Sequence, residues 1–84
     1  MRKVRVKEIN GYDYVLEDID NVYTLNIEFY DVEVHVGDYI YISDKILNEK
    51  NVFAFGPINR VCKDEDIIKL VHNNEEIYLQ RYYG

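Results

Sequence analysis

The sequence contains few of the residues that cross-link, interrupt or anchor a chain. Its 84 residues include one cysteine, one proline, four glycines and no tryptophan. The single Cys62 excludes an internal disulfide, and with only His35 and His72 beside it no zinc-type cluster is expected. The scarcity of Pro and Gly, with 48% hydrophobic residues, argues against disorder. We expect one small domain, residues 1–84, without cofactor or metal.

Long apolar segments are also missing. No stretch approaches the roughly 18 apolar residues that a membrane span requires. Met1-Arg2-Lys3 leads into alternating valines and basic residues, which is not the pattern of a signal peptide. We therefore predict a cytoplasmic protein that does not associate with a membrane.

Positively charged residues are missing from residues 8–44. Residues 1–7 hold four basic groups and no acid, whereas residues 8–44 hold ten acids and no Lys or Arg. The net charge is −6. Such a segment repels phosphate backbones unless the basic first strand lies beside it. The simplest interpretation of the acids is a solvated surface.

What the chain does have is alternation of apolar and polar residues, which is typical of half-buried β-strands. Asn10-Gly11 predicts a type I′ hairpin turn, and Asn73-Asn74 predicts another turn that accepts left-handed geometry. Residues 31–36 are either a strand continuation or an irregular crossing. Ser43 or Asp44 is expected to cap one short helix over 44–50, with Ile46 and Leu47 against the barrel. The predicted strands are 3–7, 12–17, 22–30, 39–42, 52–55 with a continuation over 58–62, 67–72 and 76–82.

Seven or eight short strands with little helix predict an all-β fold, a small closed barrel. Residues 1–62 would form the barrel core, and residues 66–83 an added C-terminal β-hairpin. By alternation, Tyr39 and Tyr41 face outward. The inward candidates are Val4, Val6, Leu25, Ile27, Phe29, Ile40, Ile42, Phe53, Phe55, Ile68, Leu70, Ile77 and Leu79.

Residues 3–60 resemble OB-fold barrels of the translation-initiation-factor-one and ribosomal RNA-binding type. The resemblance rests on an ordered series of segments: VRVKEINGYDYVLED, VYTLNIEF, HVGDYIYIS and VFAFGPINR. It covers about two-thirds of the chain, and the Gly-Asp element also occurs in other small barrels, so an SH3-like barrel is the second candidate fold. The resemblance implies a nucleic-acid face with Tyr12 or Tyr14 and Tyr23 as stacking residues. Arg5 or Lys7 would contact phosphates beside them.

Catalytic patterns are weak. His35 and His72 fall in separate strands 37 positions apart, and acid pairs such as Asp18/Asp20 are explained by turns. A nucleophilic Cys62 next to Lys63 is a third, minor hypothesis. We therefore predict that the protein is not an enzyme.

The nine tyrosines exceed what a small core requires. At the C-terminus, Tyr78 and Tyr82 share one strand face, with Arg81 adjacent. Exposed tyrosines indicate a binding surface, because aromatic rings are enriched where proteins meet. Alternatively, two aromatic rows cover each other across strands. A patch of Arg2, Lys3, Arg5 and Lys7 with Lys69 and Arg81 would favour an anionic partner.

We predict a non-catalytic binding module that contacts another protein, or a second copy of itself through an unpaired strand edge. The alternative is single-stranded RNA or DNA binding, which the acidic charge disfavours. The candidate binding surface is Tyr12, Tyr14, Tyr23, Arg5, Lys7, Tyr78, Arg81 and Tyr82.

Overall fold

The computed structural model of the chain describes residues 1–58 and 67–81. They form seven strands and one short helix, which confirms the all-β class. No helix among the described residues combines the length and apolar character needed to cross a bilayer. The elements are β1 (Arg2–Asn10), β2 (Asp13–Glu17), β3 (Val22–Phe29), β4 (Tyr39–Ile42), α1 (Asp44–Leu47), β5 (Asn51–Pro57), β6 (Ile67–His72) and β7 (Glu75–Arg81).

The strands form a closed, barrel-like ring in the order β1-β2-β3-β5-β7-β6-β4, with β4 paired back to β1. All neighbours are antiparallel except β3 and β5, which are parallel. The C-terminal hairpin is therefore not an appendage: β6 and β7 lie between β4 and β5 and complete the ring. Each of the seven described strands has two neighbours, so none of them offers the unpaired edge expected for self-association.

The two predicted hairpin turns differ in geometry. Asn73 and Asn74 both have positive φ, 49° and 65°, as a type I′ turn requires. The prediction of a type I′ turn at Asn10-Gly11 is wrong, because Asn10 pairs with Asp13 as the last strand residue and the turn consists of Gly11 and Tyr12. Only Gly11 in it has positive φ, 62°, and this is the type II′ requirement for glycine at the first central position.

The interior is a single cluster of aliphatic side chains with one tyrosine. Nine of the thirteen predicted inward residues are buried, and Phe29 and Ile77 pack against the cluster as partly buried residues. The prediction for Phe53 and Phe55 is wrong: both are exposed. The buried members of this cluster are Val4, Val6, Tyr14, Leu16, Leu25, Ile27, Ile40, Ile42, Ile46, Leu47, Val52, Ala54, Ile68, Leu70 and Leu79.

The orientation of β5, which is opposite to the predicted one, has a steric reason. Val52, Ala54 and Gly56 point inward, and a Cβ on Gly56 would lie 2.9 Å from both the Tyr30 carbonyl oxygen and the Asp31 Cβ. β5 therefore passes too close to Tyr30 and Asp31 to accommodate a side chain at position 56. With glycine and alanine required inside, the two larger phenylalanines occupy the outer face.

The helix begins as predicted and ends earlier. The Ser43 side-chain oxygen accepts the Ile46 amide N–H at 3.3 Å, and Ile46 and Leu47 are buried. The helix stops at Leu47 rather than continuing to residue 50. Residues 31–36 are irregular, in agreement with the crossing alternative. The predicted strand continuation to Cys62, and position Tyr82, lie outside the described residues.

Candidate functional site

Four neighbouring strands align an alternating row of lysines and tyrosines on the outside of the ring. In the register of β1, β4, β6 and β7, Lys3 is opposite Tyr41, Tyr41 is opposite Lys69, and Lys69 is opposite Tyr78. Because alternate residues on these strands, such as Val4 and Ile40, are buried, the four side chains share the outer face. We call Lys3, Tyr41, Lys69 and Tyr78 the Lys–Tyr row.

The ammonium groups of the Lys–Tyr row lie over the tyrosine rings. Lys69 Nζ is 4.5 Å from the ring centroid of Tyr41 and 5.8 Å from that of Tyr78. Lys3 Nζ is 4.5 Å from the ring centroid of Tyr39 and 5.8 Å from that of Tyr41. These distances are within the range of cation–π attraction. The row is therefore a connected surface that extends to Tyr39.

Acidic residues border this surface. Glu76 accepts a charge-assisted contact from Lys69 at 3.0 Å, and this pairing raises the pKa of Lys69. Arg5, which is opposite Tyr39, pairs with Glu17 at 3.1 Å. The acids at the rim therefore partly neutralise the positive charge of Lys69 and of Arg5.

The aromatic face expected on strands two and three is not formed. Tyr14 is 9% exposed and packs edge-on against Phe29 in the core, where burial raises the pKa of its hydroxyl. Tyr23 is half-buried on the inner side, and its hydroxyl donates to Asp18 at 3.2 Å. The outer face of these two strands has neither an aromatic ring nor a cation, and consists of Asp13, Val15, Glu17, Val22, Thr24, Asn26 and Glu28.

The remaining predicted residues are dispersed. Tyr12 is 60% exposed in the first turn, and Lys7 lies at a register shift of β1, 4.0 Å from Glu17. Arg81 is mostly buried and forms an ion pair with Glu49, which does not belong to the row. Lys3 and Lys69 do come together around Tyr41, so the expected basic patch exists in a reduced form without Arg81.

Arg2 is paired with two carboxylates, although its side chain is 39% exposed. Its guanidinium donates to Asp44 at 2.7 Å and to Asp18 at 3.0 Å. Arg2 lowers the pKa of Asp44. Burial of Asp18 acts in the opposite direction, but backbone amides and Arg2 together hold its pKa below the ordinary value.

Near the start of β4, the fold brings together the two histidines of the chain, His35 and His72. A turn over residues 35–38 brings His35 next to Asp38. The Asp38 amide N–H donates to the His35 carbonyl at 3.1 Å, and Gly37, between His35 and Asp38, has a φ of 98°. Positive φ at the third residue is the mark of a type II turn and favours glycine. His72 ends β6, next to Val71, which pairs with Tyr39, and so it reaches the same place.

These three side chains form a compact polar cluster. His72 Nδ1 donates to Asp38 Oδ1 at 2.6 Å, and the rings of His35 and His72 stack with centroids 4.7 Å apart. Asp38 is 6% exposed, and its Oδ2 accepts the His35 backbone N–H at 2.9 Å. One ligand-type atom from each residue lies within 4.8 Å of the others. Sequence distance alone gave no reason to connect the two histidines.

Comparison of the chain with protein-family models, with curated proteins and with solved structures found no match in any of the three. The arrangement of the chain's own residues is therefore the basis for a functional proposal.

Sequence reasoning missed Tyr39, Tyr41, Lys3 and Lys69 as one surface. Their outward direction was predictable from the alternation of β1, β4 and β6, but their alignment depends on which strands are neighbours. The pairing of β4 with both β1 and β6 is a long-range relationship that alternation does not encode.

Proposed function

We propose that the protein is a non-catalytic binding module that contacts another protein through the Lys–Tyr row and Tyr39. The observation that carries this proposal is the straight alternation of cation and aromatic ring across four paired strands. Tyrosine supplies a large, partly polar contact area at low entropic cost, and it is enriched at the centres of protein interfaces.

The contacts within the row favour a protein partner over a single-stranded nucleic acid. Lys3 Nζ and Lys69 Nζ each lie 4.5 Å from a tyrosine ring centroid, so a base must displace an ammonium group before it can stack on that ring face. The chain is acidic overall, which opposes phosphate binding. The outer face of β2 and β3 has neither aromatic rings nor cations to provide a second platform.

The chemistry of the row defines the partner. Carboxylates would pair with Lys3 and Lys69, and apolar side chains would cover the edges of Tyr39 and Tyr41. We therefore expect a protein segment in which Asp or Glu is next to aliphatic or aromatic residues. Glu76 and Glu17 at the rim would repel such a segment if it were displaced from the row, and this would set its position.

An OB-like architecture is part of the proposal. Strands β1 to β5 are five short strands in a ring that would be open between β4 and β5, and the β6–β7 hairpin occupies that opening. A five-stranded, partly open barrel is the form of an OB-fold. On this view the hairpin both closes the barrel and supplies Lys69 and Tyr78 to the binding surface.

A displayed library of random peptides tests the proposal. Peptides selected on the wild-type protein should be rich in Asp or Glu beside apolar residues. Tyr41→Ala and Lys69→Ala should each weaken the selected peptides at least tenfold, which corresponds to about 1.4 kcal/mol. Tyr12→Ala is the matched control, since Tyr12 is an exposed tyrosine outside the row and its loss should change affinity less than twofold.

Two further measurements make the result decisive. Thermal unfolding of each variant establishes that loss of binding is not loss of folding. Peptide binding that is unchanged in both row variants would overturn the proposal. So would salt-sensitive binding of single-stranded oligonucleotides that is lost in Tyr41→Ala, because the row would then be a nucleic-acid surface. Concentration-dependent sedimentation of the wild type that is abolished by Tyr41→Ala would identify the partner as a second copy.

A further inference from the structure

We propose that His35, Asp38 and His72 bind one divalent transition-metal ion of the Zn²⁺ class. Two imidazoles and a carboxylate are a ligand set that such ions favour, and neutral imidazole is the commonest protein ligand for them. The three side chains come from the irregular link before β4 and from the end of β6. This inference is independent of the Lys–Tyr row and of any protein partner.

The carboxylate of the site is held in position before an ion arrives. Asp38 is 6% exposed, and its Oδ2 accepts the His35 backbone N–H at 2.9 Å. Its backbone is fixed as well, because the Asp38 carbonyl accepts the Val6 N–H at 2.8 Å. A hydrogen bond that orients a ligating carboxylate is the usual supporting contact of a metal site. Oδ1 is left to face the imidazole of His72.

The ligand atoms of His72 and Asp38 require only a small adjustment, whereas the ring of His35 must turn. His72 Nδ1 and Asp38 Oδ1 are 2.6 Å apart and are joined by a hydrogen bond, whose proton a metal ion would replace. When a metal ion replaces that proton, bonds of about 2.0–2.1 Å at a tetrahedral angle place the two atoms about 3.3 Å apart. His72 is 35% exposed and His35 46% exposed, so both rings can turn toward the ion. His35 then leaves its stacked position over His72 and supplies the third ligand.

The surroundings also favour a cation. Glu33 lies 3.2 Å from His35 Nε2, which adds a negative charge beside the cluster. The site is open on the side of the two partly exposed rings, so water completes the coordination. A bound ion would join the turn at residues 35–38 to the β6–β7 hairpin, two segments that are distant in sequence.

Zn²⁺ titration of tag-free protein in a Cys62→Ser background tests the site without interference from the thiol. Isothermal calorimetry should show saturable binding of one ion per chain. The imidazole NMR signals of both histidines should shift with the same dependence on Zn²⁺. His35→Gln and His72→Gln should each lower affinity at least tenfold, whereas Glu75→Gln, which removes a carboxylate from the adjoining hairpin, should change it less than twofold.

Thermal unfolding provides the second readout, since an ion that binds only the folded state raises the midpoint as its concentration increases. Zn²⁺ should raise the midpoint of the Cys62→Ser protein and of Glu75→Gln, but not that of His72→Gln. The proposal is overturned if no saturable binding occurs, or if both histidine variants bind Zn²⁺ as tightly as the parent protein.

Discussion

Asp38 and His35 are joined by two reciprocal hydrogen bonds. The Asp38 amide N–H donates to the His35 carbonyl at 3.1 Å, and the His35 amide N–H donates to Asp38 Oδ2 at 2.9 Å. Oδ1 of the same carboxylate is hydrogen-bonded to His72 Nδ1. One buried acid therefore fixes the end of the irregular link to the end of β6.

Asp38→Asn should consequently destabilise the protein by about 1–3 kcal/mol, the cost of disturbing a buried hydrogen-bonded charged group. The amide keeps the shape of the side chain but can accept through only one oxygen. Urea unfolding of both proteins measures the difference. Asp13→Asn is the control: Asp13 is exposed, its side chain accepts from Asn26 at 2.9 Å, and the change should cost less than about 0.5 kcal/mol. Equal losses in the two variants would contradict this role of Asp38.

The contacts of Arg2 predict acid sensitivity. Arg2 lowers the pKa of Asp44 from its ordinary value of 3.8. Burial raises the pKa of Asp18, but hydrogen bonds from backbone amides and from Arg2 outweigh this effect, and the pKa of Asp18 also lies below 3.8. A carboxylate with a lowered folded pKa adds stability above its ordinary pKa and loses it as pH falls through the folded pKa. Wild-type stability should therefore fall below about pH 4.

In Arg2→Met, stability at pH 7 should be lower, and the further decrease between pH 4 and pH 2 should be smaller. Denaturant unfolding at a series of pH values measures both quantities. Lys45→Met removes an exposed cation of α1 and should leave the slope with pH unchanged. A steeper acid loss in Arg2→Met than in the wild type would show that the two carboxylates depend on other partners.

Gly56→Ala should be more destabilising than its small volume suggests. The added Cβ would lie 2.9 Å from the Tyr30 carbonyl oxygen and 2.9 Å from the Asp31 Cβ, so the backbone must shift at a cost of about 1–3 kcal/mol. Gly11→Ala separates space from backbone conformation: it has open space around it, but its φ of 62° costs about 1–2 kcal/mol. Crystallography of Gly56→Ala should show displacement at Tyr30 and Asp31, whereas Gly11→Ala should show only a local change in the first turn.

Because Val52 faces inward and Phe53 outward, an added hydroxyl should destabilise the protein at position 52 and have little effect at position 53. Val52 is 1% exposed, and Val52→Thr should cost about 1–3 kcal/mol because its hydroxyl is buried. Phe53 is 36% exposed, and Phe53→Tyr should change the free energy of unfolding by less than about 0.5 kcal/mol. Chemical denaturation measures both. The reverse order would contradict this orientation and place Phe53 inside.

The error at β5 has a physical origin. Alternation of Val52, Phe53, Ala54 and Phe55 is equally regular in either orientation, and hydrophobicity favours the larger rings inside. The close approach of the chain at Tyr30 and Asp31 excludes a side chain at Gly56 and so selects the other face. Tyr14 shows the same limit: its strand was predictable, but the face of the strand depended on packing against Phe29.

Local residue patterns were sufficient to predict the all-β class, the positions of most strands, the outward direction of Tyr39 and Tyr41, and a turn with left-handed geometry at Asn73 and Asn74. These follow from local rules, since strand period and turn conformation depend on neighbouring residues. Three other features are visible only in the folded chain: β6 and β7 complete the ring, Lys3 and Lys69 flank Tyr41, and His35 stacks on His72 beside Asp38. Each of these depends on which distant strands pair, and the hydrophobic pattern of a strand specifies its buried face but not its neighbour.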